Sequence, residues 1–257
     1  MSNEYALGSS VDHPKYWLLP ETQIDDFSTN DLTISFYSMI RAICLRSETR
    51  PHVLDFGAGR AGWIEDDPSH FRRRLRHLDQ DVAHVVAADV DPVVRENQAS
   101  SERVVLESDK PLPFADSSFD IIIADWTFEH IENVEKIASE LARVVRSGGW
   151  ICARTPNLWG YGSLVSGLVP NRFHIALLRY IQPQRKEIDV FPTFYRLNTI
   201  SALRRAFPEC EVLAIRRAGP PAYHFNRRWA FATWLFVHRI LPAFFAPTFL
   251  IFIRKRS

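Results

Sequence analysis

One pattern constrains this chain more than any other: from Arg50 to Ala153, short apolar runs alternate with polar, helix-like stretches. Val53-Leu54-Asp55-Phe56 runs straight into the glycine turn Gly57-Ala58-Gly59-Arg60-Ala61-Gly62. The arginine-rich stretch Phe71 to Leu78 reads as a helix and His84 to Ala88 as a second strand. Asp91 reads as an N-cap, with Pro92 at the first helical position, where its missing N–H costs nothing. Val104-Val105-Leu106 is a third, edge-like strand, and Phe119 to Ala124, the most apolar of the set, is expected to be buried on both faces. Val134, Ile137, Ala138, Leu141 and Val145 share a helical face, Gly148 and Gly149 are expected to end that helix, and Trp150 to Ala153 is a fifth strand. Such alternation demands a parallel sheet with right-handed crossovers and helices on both faces, an α/β doubly wound fold.

The flanks fit the same plan. The first thirty residues read as an irregular arm, followed by a helix with Ile34, Tyr37, Ile40 and Cys44 on one side and Asn30 or Asp31 as its cap. After Pro156 the rhythm stops for about forty residues, a length that is uncommon without a task. It resumes with a helix from Thr199 to Phe207 and strands at Glu211 to Arg216 and Thr248 to Arg254. No linker-like segment intervenes, so residues 1–257 read as one domain. Its expected parts are an arm and helix (1–48), a core (50–157), an insertion over the sheet's active edge (158–197) and a completion of the sheet (198–257).

Lysines and arginines nearly balance the acids, for a net charge of +1, which argues against a dedicated nucleic-acid surface. The cluster Arg72, Arg73, Arg74 and Arg76 has no interleaved aromatics and reads as a solvated helix face. Three unpaired cysteines give no disulfide framework, no metal-ligand spacing is visible, and the first residues lack a secretory pattern, so a reducing, cytoplasmic setting is expected. The stretch Trp229 to Phe252 is strongly apolar, but His238, Arg239, Pro242 and Pro247 break it. A helix from Arg228 to Ile240 and a bend are expected there. Its tryptophans, with Arg254-Lys255-Arg256, offer a peripheral membrane contact that would suit a lipid-linked acceptor.

Ligands of open parallel sheets sit beyond the carboxyl ends of the strands. Three acids fall at such ends: Asp55 before the glycine turn, Asp89 after the second strand and Asp109 after the third. A pyrophosphate would be repelled by Asp55, whereas an ammonium group would be attracted; Asp89 could accept from ribose hydroxyls and Asp109 from an adenine amino group. Together they describe a nucleoside joined to a cationic amino-acid tail.

The run from Val53 to Gly59 resembles the first motif of class I S-adenosylmethionine-dependent methyltransferases. Leu112 to Asp120, Asp125 to Ile131 and Leu141 to Gly149 are similar to their later signatures, in the same order. Arg146-Ser147 departs from the usual lysine and proline in a turn that touches no ligand residue. The likeness covers Arg50 to Asn157, is strongest to the small-molecule (type 11-like) group related to quinone and lipid methyltransferases, and implies a Rossmann-like, mostly parallel sheet with an antiparallel last strand. It implies that Asp55, Phe56, Gly57, Ala58 and Gly59 hold the methionine moiety, Asp89 and Val90 the ribose, and Ser108 and Asp109 the adenine. Asp125 and Trp126 would line the junction with the acceptor.

His130 is the expected base, since imidazole titrates near neutrality, although it could instead order its own loop; Asp125 and Glu129 are weaker alternatives. Tyr161, His174, Tyr195 and Arg196 are the expected acceptor contacts. The acceptor class is a small metabolite, lipid or saccharide. A non-catalytic binding protein and an NAD(P)-dependent oxidoreductase are the rival readings. The oxidoreductase leaves Asp55 unexplained and wants an acid about twenty residues past the glycines, nearer than Asp89.

Overall fold

The computed structural model describes residues 13–161, 192–221 and 226–256. Its strands are β1 (His52–Phe56), β2 (His84–Asp89), β3 (Glu102–Val105), β4 (Phe119–Asp125), β5 (Val145–Pro156), β6 (Cys210–Arg217) and β7 (Thr248–Lys255). The helices are α1 (Lys15–Leu18), α2 (Thr22–Asp25), α3 (Leu32–Leu45), α4 (Trp63–Asp66), α5 (His70–Arg76), α6 (Val134–Val144), α7 (Ile200–Ala206) and α8 (Arg228–Ile240). All strands join one sheet in the order β3-β2-β1-β4-β5-β7-β6. Only β7 runs against the rest, pairing antiparallel with both β5 and β6. Strand order reverses between β1 and β4, which opens a crevice at their carboxyl ends.

Alternation along the strands feeds two cores. On one face Leu54, Ile122 and Ile151 pack with Leu141 of α6 and Leu203 of α7. On the other, Val53, Ile121 and Cys152 meet Phe36 and Ile40 of α3 and Leu75 of α5. Helix α3 starts where Asp31 accepts the N–H groups of Thr33 and Ile34, which satisfies donors left free by the first turn. Asp91 caps the next turn by accepting from Val93, but Pro92–Glu96 is a single 3₁₀ stretch and no longer helix follows.

Four expectations need correction. The arm is not wholly irregular, because α1 and α2 form and α1 packs on α8. Gly148 and Gly149 do not end α6, which passes directly into β5 at Val145. They form an irregularity in that strand, between the pairs Phe119–Val145 and Ile121–Trp150. Gly148 has φ +75, and a Cβ at Gly149 would lie 2.7 Å from the Asp120 carbonyl oxygen, so side chains are excluded there. The arginine cluster is not a solvated face: Arg72 pairs with Asp67 and Asp31 at 2.6 and 2.9 Å, and Arg76 turns toward the sheet. Finally, Arg254 to Arg256 lies at the edge opposite to the start of β7, where Lys255 Nζ donates to the Ala142 and Val145 carbonyls.

Candidate functional site

Three acids and a glycine turn meet at the carboxyl ends of β1, β2 and β4. Gly57, at φ +75, donates its N–H to the Ala88 carbonyl at 2.8 Å. A Cβ there would come within 2.4 Å of the Thr127 side chain, whose hydroxyl donates to the Phe56 carbonyl. Glycine is therefore required by both conformation and contact. Asp89 holds the far side of the turn: its Oδ2 accepts from Gly59 N–H at 2.8 Å and its Oδ1 from Asp91 N–H at 2.9 Å. Gly59 sits at φ +52 with no heavy atom within 4 Å of where a Cβ would be, so the turn presents bare backbone outward.

Beneath this turn, on the α3 and α5 side, lies a buried charged network. Asp125 and Arg154 are direct cross-strand partners, and the guanidinium grips the carboxylate at 2.7 and 2.8 Å. The Tyr37 hydroxyl donates to Asp125 Oδ2 at 3.2 Å, and Arg154 also donates to Thr33 Oγ1. Burial works to raise the Asp125 pKa, but Arg154, Arg76 and Tyr37 outweigh it and hold the carboxyl below its ordinary range. Arg154 also lies 5.2 Å from the centre of the Trp126 ring, which is 40% exposed at φ +59.

Asp55 is in the opposite situation. Burial, then the neighbouring Asp125 charge, pushes its carboxyl up to about 7, with Arg76 opposing. Arg76 stands over the rings of Trp63 (4.7 Å) and Tyr37 (5.4 Å) and approaches Asp125 only to 3.5 Å. Its buried Nε has no hydrogen-bond partner. A half-buried acid with a raised pKa beside an under-satisfied guanidinium is an unfinished arrangement, suited to a ligand bearing both an ammonium and a carboxylate.

The other predicted residues are distributed around this centre. Phe56 is buried, Ala58 donates to the Ala88 carbonyl, and Val90 is exposed beside Asp89. Ser108 and Asp109 are exposed after β3, with the Ser108 carbonyl accepting from Lys136 Nζ at 3.1 Å. His130 ends a short 3₁₀ turn and donates through Nδ1 to the Pro192 carbonyl at 2.7 Å, so its loop is tied to the returning chain. Glu129 is buried, its carboxyl raised by desolvation despite accepting from the Thr155 hydroxyl at 2.8 Å. Its carbonyl accepts from the Phe194 and Tyr195 amides, which brings Tyr195 to the same wall as His130.

Two expected acceptor contacts go elsewhere. Tyr161 stacks on Trp234 at 5.0 Å and hydrogen-bonds His238, so it anchors α8. Arg196 donates to the Glu132 carbonyl and lines a groove of about 740 Å³ between α6 and α7, on the face away from Asp55 and Asp125. His174 lies outside the described residues.

Sequence reasoning missed Tyr37, Arg76 and Arg154. A signal for Arg154 was present: a lone charge two residues beyond Cys152, on the same strand face, with an acid ending the preceding strand.

A family model described as a methyltransferase domain matches residues 70–153, about a third of the chain, starting after the glycine turn. A sterol 4-C-methyltransferase of Caenorhabditis elegans is 29% identical over 103 residues, covering 38% of this chain and 29% of that protein. The matched stretch thus spans less than a third of that relative's length. Among solved structures, the YcgJ protein of Bacillus subtilis superposes with a TM-score of 0.50 at 17% identity, over 87% of this chain and 99% of that one. The [4+2]-cyclase SpnF does so with a TM-score of 0.50 at 14% identity, over 86% and 82%. These likenesses establish the shared fold, and the cyclase illustrates that one fold carries more than one chemistry.

Proposed function

We propose that the chain is a class I S-adenosylmethionine-dependent methyltransferase that methylates an oxygen, nitrogen or carbon nucleophile of a small metabolite, lipid or saccharide, a reading supported by the matching methyltransferase-domain model and the shared fold. The observation that carries the reading is the cluster of Asp55, Asp89 and Arg76 around a bare glycine turn. The donor set fits a cationic, phosphate-free nucleoside. Asp55 would take the α-ammonium group, Arg76 Nε the carboxylate and Asp89 the ribose hydroxyls, with Ser108 and Asp109 beside the base.

Bound S-adenosylmethionine supplies an electrophilic methyl group on a sulfonium. The protein's own contribution is alignment and exclusion of water. Trp126, Phe194 and Tyr195 offer aromatic walls near His130, which favours an acceptor with apolar surface. The sterol methyltransferase relative supports the same class. Because His130 Nδ1 donates to Pro192, the neutral ring has its basic nitrogen at Nε2. That nitrogen receives the acceptor's proton as the new bond to carbon forms. Asp125 is engaged by Arg154 and serves to fix the wall under Trp126.

Titration calorimetry with S-adenosylmethionine and with NAD tests the ligand, and formation of S-adenosylhomocysteine with candidate acceptors tests the reaction. Binding of NAD in preference to the sulfonium compound would overturn the reading. Sulfonium binding without turnover across apolar, saccharide and amine acceptors would leave the fold as a binding module.

A further inference from the structure

Helix α8 has two faces with opposite obligations. The inner face is fixed: Ala230 and Phe231 are buried, Trp234 stacks on Tyr161, and His238 hydrogen-bonds the same tyrosine. The outer face follows helical spacing through Trp229, Thr233, Phe236 and Ile240, and all four are exposed. Trp229 is 73% accessible and Phe236 and Ile240 are each 62%, an apolar stripe that a surface helix normally avoids. Because the inner face is held, the helix cannot roll to hide it.

The charge of the chain segment that carries the stripe has one sign. Beyond Glu211 the sequence contains eight lysines and arginines and no aspartate or glutamate. Three of the eight, Arg254 to Arg256, lie at the far end of β7. Arg227 and Arg228 stand at the start of α8, Arg239 in its last turn, and Arg216 and Arg217 end the neighbouring β6. Arg228 also covers the exposed Trp17 ring at 4.3 Å, which extends the aromatic surface onto α1.

We propose that this face of α8 docks on the surface of an anionic lipid bilayer, with Trp229, Phe236 and Ile240 entering the headgroup region and the arginines pairing with lipid phosphates. Among the described residues no helix is long and apolar enough to cross a membrane, so the docked α8 would lie along the bilayer surface. A second copy of the chain fits less well, since a two-fold contact would set these arginines against their own copies with no acid of this region to pair them. The inference goes beyond methyl transfer and does not depend on it.

The test is co-sedimentation of the full chain with vesicles of phosphatidylcholine, alone or with about three parts in ten phosphatidylglycerol. The chain is expected to sediment with the anionic vesicles and to be released by high salt. Joint Trp229→Ser, Phe236→Ser and Ile240→Ser exchange should weaken binding by roughly tenfold or more. Joint Arg227→Gln, Arg228→Gln and Arg239→Gln exchange should weaken it by about a hundredfold. Both variants should keep native circular dichroism and S-adenosylmethionine affinity, so failure of the methyltransferase reading would be seen separately. The proposal is overturned if the unaltered chain ignores anionic vesicles or if either triple variant binds as well. It is overturned equally if the chain is a dimer that these exchanges dissolve while vesicles capture nothing, which would make a second copy the occupant.

Discussion

The crevice over β1, β2 and β4 and the platform formed by α8 with the end of β6 and the start of β7 lie along the same edge of one sheet, yet they are built from opposite chemistry. The first concentrates acids at strand ends, bare glycine backbone and charges taken out of water. The second has no acid among its residues and leaves tryptophan, phenylalanine and isoleucine in solvent, flanked by arginine. The difference teaches what each region can hold. Carboxylates set at strand ends select a small cation by geometry, whereas arginines around an exposed apolar stripe suit a broad, anionic, deformable surface.

The contrast is broken most severely by removing one member of the buried pair. Arg154→Met strands the Asp125 carboxylate in the interior and should cost about 3–5 kcal/mol of stability, measured by urea denaturation. Adding Asp125→Leu to that variant should recover much of the loss. His130→Ala should lower turnover by about a hundredfold with S-adenosylmethionine affinity unchanged in calorimetry, because Nε2 is assigned the role of accepting the acceptor's proton and no cofactor contact. A fall in affinity instead would make His130 an ordering residue for its loop. Asp89→Ala should weaken cofactor binding by roughly tenfold to a hundredfold, since it removes a charged acceptor and the tether of Gly59, while vesicle binding stays as it was.

The smallest effect is a pH dependence confined to the crevice. Folding raises the Asp55 pKa from 3.8 to about 7. The folded chain therefore keeps a proton that the unfolded chain loses, and this carboxyl's contribution to stability declines as pH rises through that window. An ammonium ligand favours the ionised form, so its affinity should drop by up to about tenfold for each pH unit below 7, with a proton released on binding. Asp55→Asn should flatten that slope in calorimetry while leaving the salt dependence of vesicle binding alone.

Much of the frame could be read from the residues. Glycine, proline and the capping acids act within a few residues of themselves, so β1, the turn after it, Asp91 with Pro92 and the bounds of α8 were visible locally. The strand ends carrying Asp55, Asp89 and Asp125 followed from the same alternation. Pairings across distant elements were not visible. Arg76 looked like one of several arginines on a polar helix because nothing nearby in sequence shows that Trp63 and Tyr37 flank it. The Asp125–Arg154 pair depends on the register between β4 and β5, which the strand sequences alone leave open. Gly148 and Gly149 misled because a glycine pair after a helical face serves equally well as a stop or as a kink in the following strand.

The placement of β7 bears on how the chain is assembled. β6 touches the sheet only through β7, and β7 is also what covers the open side of β5. Until Thr248–Lys255 has emerged from the ribosome, β5 presents an unpaired apolar edge and β6 has nowhere to add. Consolidation of this half of the sheet thus waits for β7, and a chaperone that shields exposed strands would have its greatest effect in that interval.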